Sequence, residues 1–375
     1  MLPTFQGFKK LPIQDVFGPN EVKPFGVPIF ASLIANKNWF VMTTDRAPTQ
    51  PPNELDLFSN YSSYEVEQLC NDPNSYFMFS LLWEGFSYQT YDFHELIAQS
   101  AIRHGVPAEK VFYVSSNLRD EENFASREFK MHVVSFNYFA SQVTKYANSM
   151  FTIDQTVNNI RNGTHTFLSL NRRKRPLRNY TVYKLFESGM DVLLSCDKLT
   201  QDDFDFNGTV LDQLCSASPK TIDQTDFTTN WACEPPEAAN PVDLFRNTAV
   251  SLVSETLFDT WNNTSLFYSE KTFKPMLYNH PVMIFGQQGL NTYLEQVGFK
   301  SYSNYFDLKF EDVADPKTRI NLQVVLLQEI DALSLEQKIE WFLQDRETIE
   351  YNRQALLAQD YNRIKLARLL QDFLQ

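Results

Sequence analysis

Val253-Ser254-Glu255-Thr256, then Ser269-Glu270-Lys271-Thr272-Phe273-Lys274-Pro275, then Tyr278-Asn279-His280-Pro281-Val282-Met283-Ile284-Phe285-Gly286: these three pieces fall within 34 residues and decide how the rest of the chain is read. The apolar run from Thr248 to Ser254 predicts a strand whose polar end carries Glu255. Ser269 is a capping residue ahead of a helix starting near Lys271, and His280 to Phe285 is the next strand. Strand, helix and strand in succession point to a parallel sheet flanked by helices.

The same rhythm extends in both directions. Upstream, Thr166 to Leu170 predicts a strand, a basic loop follows, Asn179 to Ser188 predicts a helix closed by Gly189, and Val192 to Ser195 is another strand. Residues 199–242 are acidic and Pro-containing without a clear period, which reads as an insertion or long loop. Downstream, Leu290 to Val297 reads as a short helix closed by Gly298. From Ser334 the pattern is helical to Gln375, one or two helices expected to pack back across the lobes. A coiled-coil arm fits less well, because the heptads are not sustained.

In the first half, strands are expected at Trp39–Thr44, Ser75–Trp83, Lys110–Asn117 and Met131–Phe136, with an amphipathic helix from Phe93 to His104 closed by Gly105. The polar stretch Asp154 to His165 reads as a crossing between lobes. The expectation is therefore an α/β protein of two lobes with a cleft between them, at 1–155 and 156–333, followed by a helical segment at 334–375. A length of 375 residues agrees, at roughly 150 residues per domain.

Bulk properties narrow the partners. A net charge of −13 repels phosphate backbones, so DNA is disfavoured unless a local basic patch admits it. The four cysteines, Cys70, Cys196, Cys215 and Cys233, fit neither a zinc ribbon nor a CxxC pair and read as free thiols in a reducing compartment. The amino-terminal residues lack a signal-peptide pattern and no window reaches the ~18 apolar residues of a membrane span, so a cytoplasmic protein without a transmembrane segment is expected. Asn-x-Ser/Thr triplets at Asn162, Asn179, Asn207 and Asn262 therefore carry no weight. No His/Cys/Asp/Glu spacing suggests a metal site, and Asp202, Asp203 and Asp205 read as a solvated acidic loop.

Two groups of residues suggest chemistry. Arg172, Arg173, Lys174, Arg175 and Arg178 follow Asn171 directly after a strand and before a helix, the ligand-facing edge of an alternating sheet. Arg forks there suit a compact anion such as a diphosphate, although a solvated basic loop has the same composition. In the second group, Ser269 starts a helix whose amino end favours an anion, and Lys271 adds a full positive charge. Glu270 stands where a carboxylate can accept two hydrogen bonds from a vicinal diol; its plainer role is that of an acidic residue in a first helical turn.

Val253-Ser254-Glu255, followed by Phe267, the run Ser269-Glu270-Lys271-Thr272-Phe273-Lys274-Pro275 and the strand His280–Gly286, resembles the donor-binding region of the alpha-1,3-fucosyltransferases and related glycosyltransferases of the GT-B fold. The resemblance covers roughly residues 166–310. It implies two Rossmann-like lobes, a nucleotide-sugar donor, Glu270 on its ribose, Lys271 on its diphosphate, and Arg172, Arg173 or Arg178 on phosphate. Asn171, Glu255, Phe267, Ser269 and Lys274 complete the implied donor site. The family's Glu-Asn stands here as Glu255-Thr256, its Tyr as Phe267, and the gap between the acidic residues is five longer, which leaves a GDP-sugar and a UDP-sugar both open.

An inverting transfer needs a base. Glu84, in Leu82-Trp83-Glu84-Gly85-Phe86 at a strand end, is the first candidate, since aromatic neighbours raise a carboxyl pKa and stack on sugar. His94, opening the next helix, is the second, with Asn117 a weaker candidate at another strand end. The expected activity is a metal-independent glycosyl transfer to a glycan, lipid-linked saccharide or other hydroxyl, with no permanently bound cofactor. A viral-type DNA glycosyltransferase and a silent sugar-nucleotide or glycan binder are the alternatives.

Overall fold

Two sheets built mainly of parallel strands, each with its own helices, organise the structure, a computed structural model describing residues 9–11, 37–44, 48–81, 89–135, 137–143, 150–163, 165–171, 173–219, 241–256, 258 and 264–358. The described residues fall into two compact units, one reaching residue 141 and including 264–267, the other comprising 142–258 and 268–358. The sequence placed the change of domain near 155; the units part at 141–142, and residues 335–358 belong to the second.

In the first unit, β1 (Lys9–Leu11), β2 (Asn38–Thr43), α1 (Ser63–Asn71), β3 (Ser75–Leu81), α2 (Phe93–His104), β4 (Val111–Ser115), α3 (Asp120–Phe124) and β5 (His132–Ser135) succeed one another. The sheet order is β1-β2-β3-β4-β5, with β1 antiparallel and the others parallel. Burial explains the continuous apolar run of β3, because a parallel strand is covered on both faces. Phe77, Phe79 and Leu81 share one core cluster with Phe93, Leu96 and Ile97 of α2. That helix starts where Asp92 accepts from the Glu95 amide, and it ends where Gly105 takes φ 70°, as the sequence predicted.

The carboxyl end of β4 holds a later part of the chain. Asn117 is fully buried: its Oδ1 accepts from the Leu266 amide at 2.9 Å, and its Nδ2 donates to the Thr264 carbonyl at 3.0 Å and to Asp120 Oδ1 at 2.7 Å. Asn123 Nδ2 donates to the same Thr264 carbonyl, and the Leu118 amide to the Leu266 carbonyl. Asn117, a candidate cleft residue by sequence, is thus a clasp on residues 264–266.

The second unit contains α4 (Ile153–Asn162), β6 (Phe167–Leu170), α5 (Pro176–Glu187), β7 (Val192–Ser195), α6 (Thr209–Ala217), α7 (Pro241–Arg246), β8 (Val250–Ser254), α8 (Glu270–Leu277), β9 (Val282–Phe285), α9 (Leu290–Tyr293), α10 (Pro316–Asp331), α11 (Leu335–Leu343) and α12 (Arg346–Ala358). Its sheet is all parallel in the order β7-β6-β8-β9. After β6 the chain steps to one side to form β7 and then to the other for β8 and β9, so the strand order reverses between β6 and β8. In open α/β sheets that reversal leaves a crevice outside the carboxyl ends of the two strands.

Three segments differ from the sequence reading. Asp154 to His165 lies mostly in a helix: Thr152 and Gln155 form a capping box, and Ile153, Thr156, Val157 and Ile160 are buried, an apolar face that the surrounding asparagines disguise. The segment 199–242 is not all loop, since α6 buries Leu211 and Leu214; residues 220–240 lie outside the described residues. The 16-residue helix α10, announced by Asp315 as cap and Pro316 at its first position, was not anticipated. No described helix is long and apolar enough to cross a membrane. Cys70, Cys196 and Cys215 are free thiols, and Cys233 lies outside the described residues.

Replacing Asn117 with Ala strips donors and acceptors from three buried partners at once. We expect a loss of about 2–4 kcal/mol in urea unfolding, read as a lower midpoint at unchanged slope. A change under about 0.5 kcal/mol, the range of an ordinary surface substitution, would show that the clasp is not structural.

Candidate functional site

A cavity of about 120 Å³ opens in the second unit at the reversal point. Leu168 and Leu170 of β6 and Ser251 to Val253 of β8 form its sheet side, and Phe245 of α7 and Pro275 of α8 its helix side. Asn171, Ser195, Glu270, Lys271 and Lys274 supply its polar lining. Leu168 and Leu170 meet there because alternate residues of a strand share a face. Glu270 and Lys274 meet because they are four apart on a helix.

Glu255 positions this helix. It is fully buried; Oε1 accepts from the Ser269 amide at 3.0 Å and from Thr272 Oγ1 at 2.6 Å, and Oε2 from the Thr256 amide at 3.1 Å. A protein carboxylate therefore occupies the amino end of α8, where a ligand anion was expected. Ser269 caps the helix through its hydroxyl, which also accepts from Lys271 Nζ at 3.0 Å.

The lining charges interact strongly. Glu270 lies 3.4 Å from Lys271 Nζ, with side chains 21% and 32% exposed respectively. Burial pushes the Glu270 carboxyl up, but Lys271 and Lys274 outweigh it and hold the group below the usual glutamate range. Burial pulls the Lys274 ammonium down to about 8, Glu270 opposing and Lys271 assisting. At neutral pH Lys274 is charged but close to releasing its proton.

The basic loop divides its cations. Arg178 is buried; Nη1 donates to the Arg173 carbonyl at 2.9 Å and Nη2 to the Glu255 carbonyl at 3.1 Å, tying the loop to the end of β8. Among the described residues it forms no ion pair, and its Nε has no partner. Burial and then Arg175 bring its pKa down to about 10, with Glu255 and Glu270 as partial compensation. Arg175 donates to the Thr256 carbonyl, Lys174 pairs with Asp203, and Arg173 is exposed. Arg172 lies outside the described residues.

Of the sequence candidates, Asn171, Glu270, Lys271 and Lys274 line the cavity, while Arg178, Glu255 and Ser269 hold its frame. Phe267 belongs to the first unit, its ring edge-on to Phe139 at 5.7 Å. Glu84 lies outside the described residues. His94 is buried in the first unit with its ring 4.8 Å from Phe124 and no partner for Nδ1, and burial lowers its pKa, so it stays neutral near pH 7. Phe245 and Ser195 were not singled out by sequence; only the end of a strand marked Ser195, and nothing local marked Phe245.

The back of the cavity is braced by His280. Its Nε2–H donates to the Phe245 carbonyl at 3.0 Å and its Nδ1 accepts from the Ser251 hydroxyl at 3.1 Å, a neutral tautomer that burial enforces by lowering the pKa to about 4. Phe245 also stacks on Tyr278 at 4.3 Å. Among the described residues, no group of three or more His, Cys, Asp or Glu side chains is placed to hold a metal ion. No family model, curated protein or solved structure matches the chain.

Glu255→Ala leaves the Ser269 and Thr256 amides and the Thr272 hydroxyl without their acceptor. We expect a loss of about 3 kcal/mol, with faster hydrogen exchange confined to the first turn of α8 and its surroundings. Exchange that rises uniformly through the second unit would show that Glu255 does not act on this helix in particular.

Proposed function

We propose that the chain is a glycosyltransferase of GT-B type that holds a nucleotide-sugar donor in its second unit. The observation that carries this reading is the convergence of one carboxylate and two ammonium groups, Glu270, Lys271 and Lys274, on a cavity at the β6/β8 reversal. A nucleoside diphosphate presents the complementary groups: a ribose diol for the carboxylate and phosphate oxygens for the lysines. Arg178, buried and without an ion pair among the described residues, adds positive charge that Glu255 and Glu270 offset only in part.

In this reading Glu270 accepts from the ribose hydroxyls, while Lys271 and Lys274 stabilise the charge that grows on the diphosphate as the sugar departs. The lysines carry this work rather than the amino end of α8, because Glu255 already satisfies that end. The acceptor hydroxyl, of a glycan, a lipid-linked saccharide or another molecule, attacks the anomeric carbon and gives its proton to a base. His94 is buried against Phe124, so Glu84 is the proposed base.

Thermal unfolding against a panel of nucleoside diphosphates and their sugars tests the reading. A true ligand at about 100 times its Kd stabilises by roughly 2.7 kcal/mol, a shift of several degrees. Lys271→Ala should cost at least about tenfold in affinity, on the order of 1.4 kcal/mol. A panel without any shift, or an unchanged Lys271→Ala affinity, would defeat the assignment.

The pH dependence has a definite sign. A bound diphosphate raises the Lys274 pKa above its free value of about 8. Affinity should be level below pH 8, then fall by up to about tenfold per pH unit above it, since the bound state holds the proton and the free state has lost it. Calorimetry between pH 6.5 and 9.5 measures this, and a flat profile contradicts it.

A further inference from the structure

Lys271 and Lys274 line one cavity from one helix, yet they stand in different situations. Lys271 is tied down: its Nζ donates to Ser269 Oγ at 3.0 Å and lies 3.4 Å from Glu270 Oε1. Lys274 stands further along α8, half-buried beside Pro275, and shares the cavity with the Glu270 carboxylate and the hydrocarbon of Leu168, Leu170 and Phe245.

An ammonium group so placed loses much of its hydration and has a second cation three residues before it on the same helix face. Both effects favour the neutral amine, and they bring Lys274 to about 8 against the opposing pull of Glu270. Roughly a tenth of the group is then neutral at pH 7, against less than about a thousandth of an ordinary lysine. Desolvation beside another cation is the arrangement that readies a lysine for attack on a carbonyl carbon. Glu270, one helical turn away and held ionised at neutral pH, is the proton acceptor that such an attack needs.

We infer that Lys274 is a covalent site for a small aldehyde that carries an anionic group, with Lys271 holding the anion. The Nζ lone pair attacks the carbonyl carbon, and the carbonyl π pair moves to oxygen. Glu270 takes a proton from the nitrogen and passes it to that oxygen, giving a carbinolamine. The nitrogen lone pair then expels the hydroxyl, and Glu270 carries the remaining nitrogen proton to it, so water leaves and an imine remains. One amine and one aldehyde give one imine and one water, without oxidant or reductant. The adduct sits in the cavity proposed for the donor and consumes one of its two ammonium groups, so aldehyde and nucleotide compete. Only that competition rests on the donor reading; the covalent site stands without it.

Glycolaldehyde phosphate and glycolaldehyde share one carbonyl and differ in the phosphate, which makes them a matched pair of probes. The full chain is treated with each, the imine is trapped with borohydride, and peptide mapping by mass spectrometry gives the rate at each lysine. With the phosphate at pH 7, Lys274 should react at least about tenfold faster than the exposed Lys309, and its rate should level off above about pH 8. Glycolaldehyde should react more slowly than its phosphate at Lys274, and Lys271→Met should erase that difference.

Labelling of Lys274 no faster than that of Lys309, or at equal rates with the two aldehydes, overturns the inference. A phosphate preference that survives Lys271→Met removes Lys271 from the site. The wild-type rates decide the matter even where the variant does not fold. A nucleoside diphosphate that binds should slow the labelling. Selective labelling in a chain that binds no nucleoside diphosphate would defeat the donor reading alone, and nucleotide binding without selective labelling would defeat this inference alone.

Discussion

The buried carboxylate of Glu255 is the contact on which the second unit's site depends. It ends β8 and, 14 residues later in the chain, fixes the start of α8 through the Ser269 amide and the Thr272 hydroxyl. Glu270, Lys271 and Lys274 take their positions from that start, since a helix places every later side chain once its first turn is set. A fully buried carboxylate is costly to desolvate, and three donors at 2.6 to 3.1 Å offset the cost. The remaining frame repeats this device in milder form, with Arg178 bonded to the carbonyls of Glu255 and Arg173.

Most of the sheet strands were legible in the sequence, and the reason is local. Ser75 to Leu81 is apolar nearly throughout because both faces of that strand are covered, and Phe93 to His104 shows a helical face closed by a glycine that adopts φ 70°. What escaped were helices whose polar residues hide a short apolar face. Ile153, Val157 and Ile160 sit among asparagines, and α10 turns Arg319 and Gln323 inward to bond backbone carbonyls, so its buried face is partly polar. Residue pattern cannot mark such a face, because tertiary hydrogen bonds and not transfer energy bury it.

The site was legible in its charges and not in its shape. Glu270, Lys271, Lys274 and Asn171 stand at strand ends or helix starts, positions that a sequence reveals. The separation between side chains that line a cavity and side chains that hold it was hidden: Glu255 and Arg178 carry the same charges as Glu270 and Lys271, yet they spend them on the backbone. Phe245 was invisible because its role comes from its placement against Tyr278 and His280, more than 30 residues along the chain. Charge type alone thus separates ligand groups from structural groups poorly, and burial with partner identity separates them well.

The neutral imidazole of His280 gives the second unit a particular response to acid. Its folded-state pKa of about 4 lies below the ordinary 6.5, so between those values the unfolded chain holds a proton that the folded one refuses. That linkage is absent above pH 6.5 and withdraws on the order of 3 kcal/mol as the pH falls to about 4. The hydrogen bonds to Phe245 and Ser251 persist through that interval, so the cavity keeps its form while the unit around it weakens. An acidified population would then contain binding-competent and unfolded molecules in changing proportion: the number of sites falls while the affinity contribution of this wall stays constant.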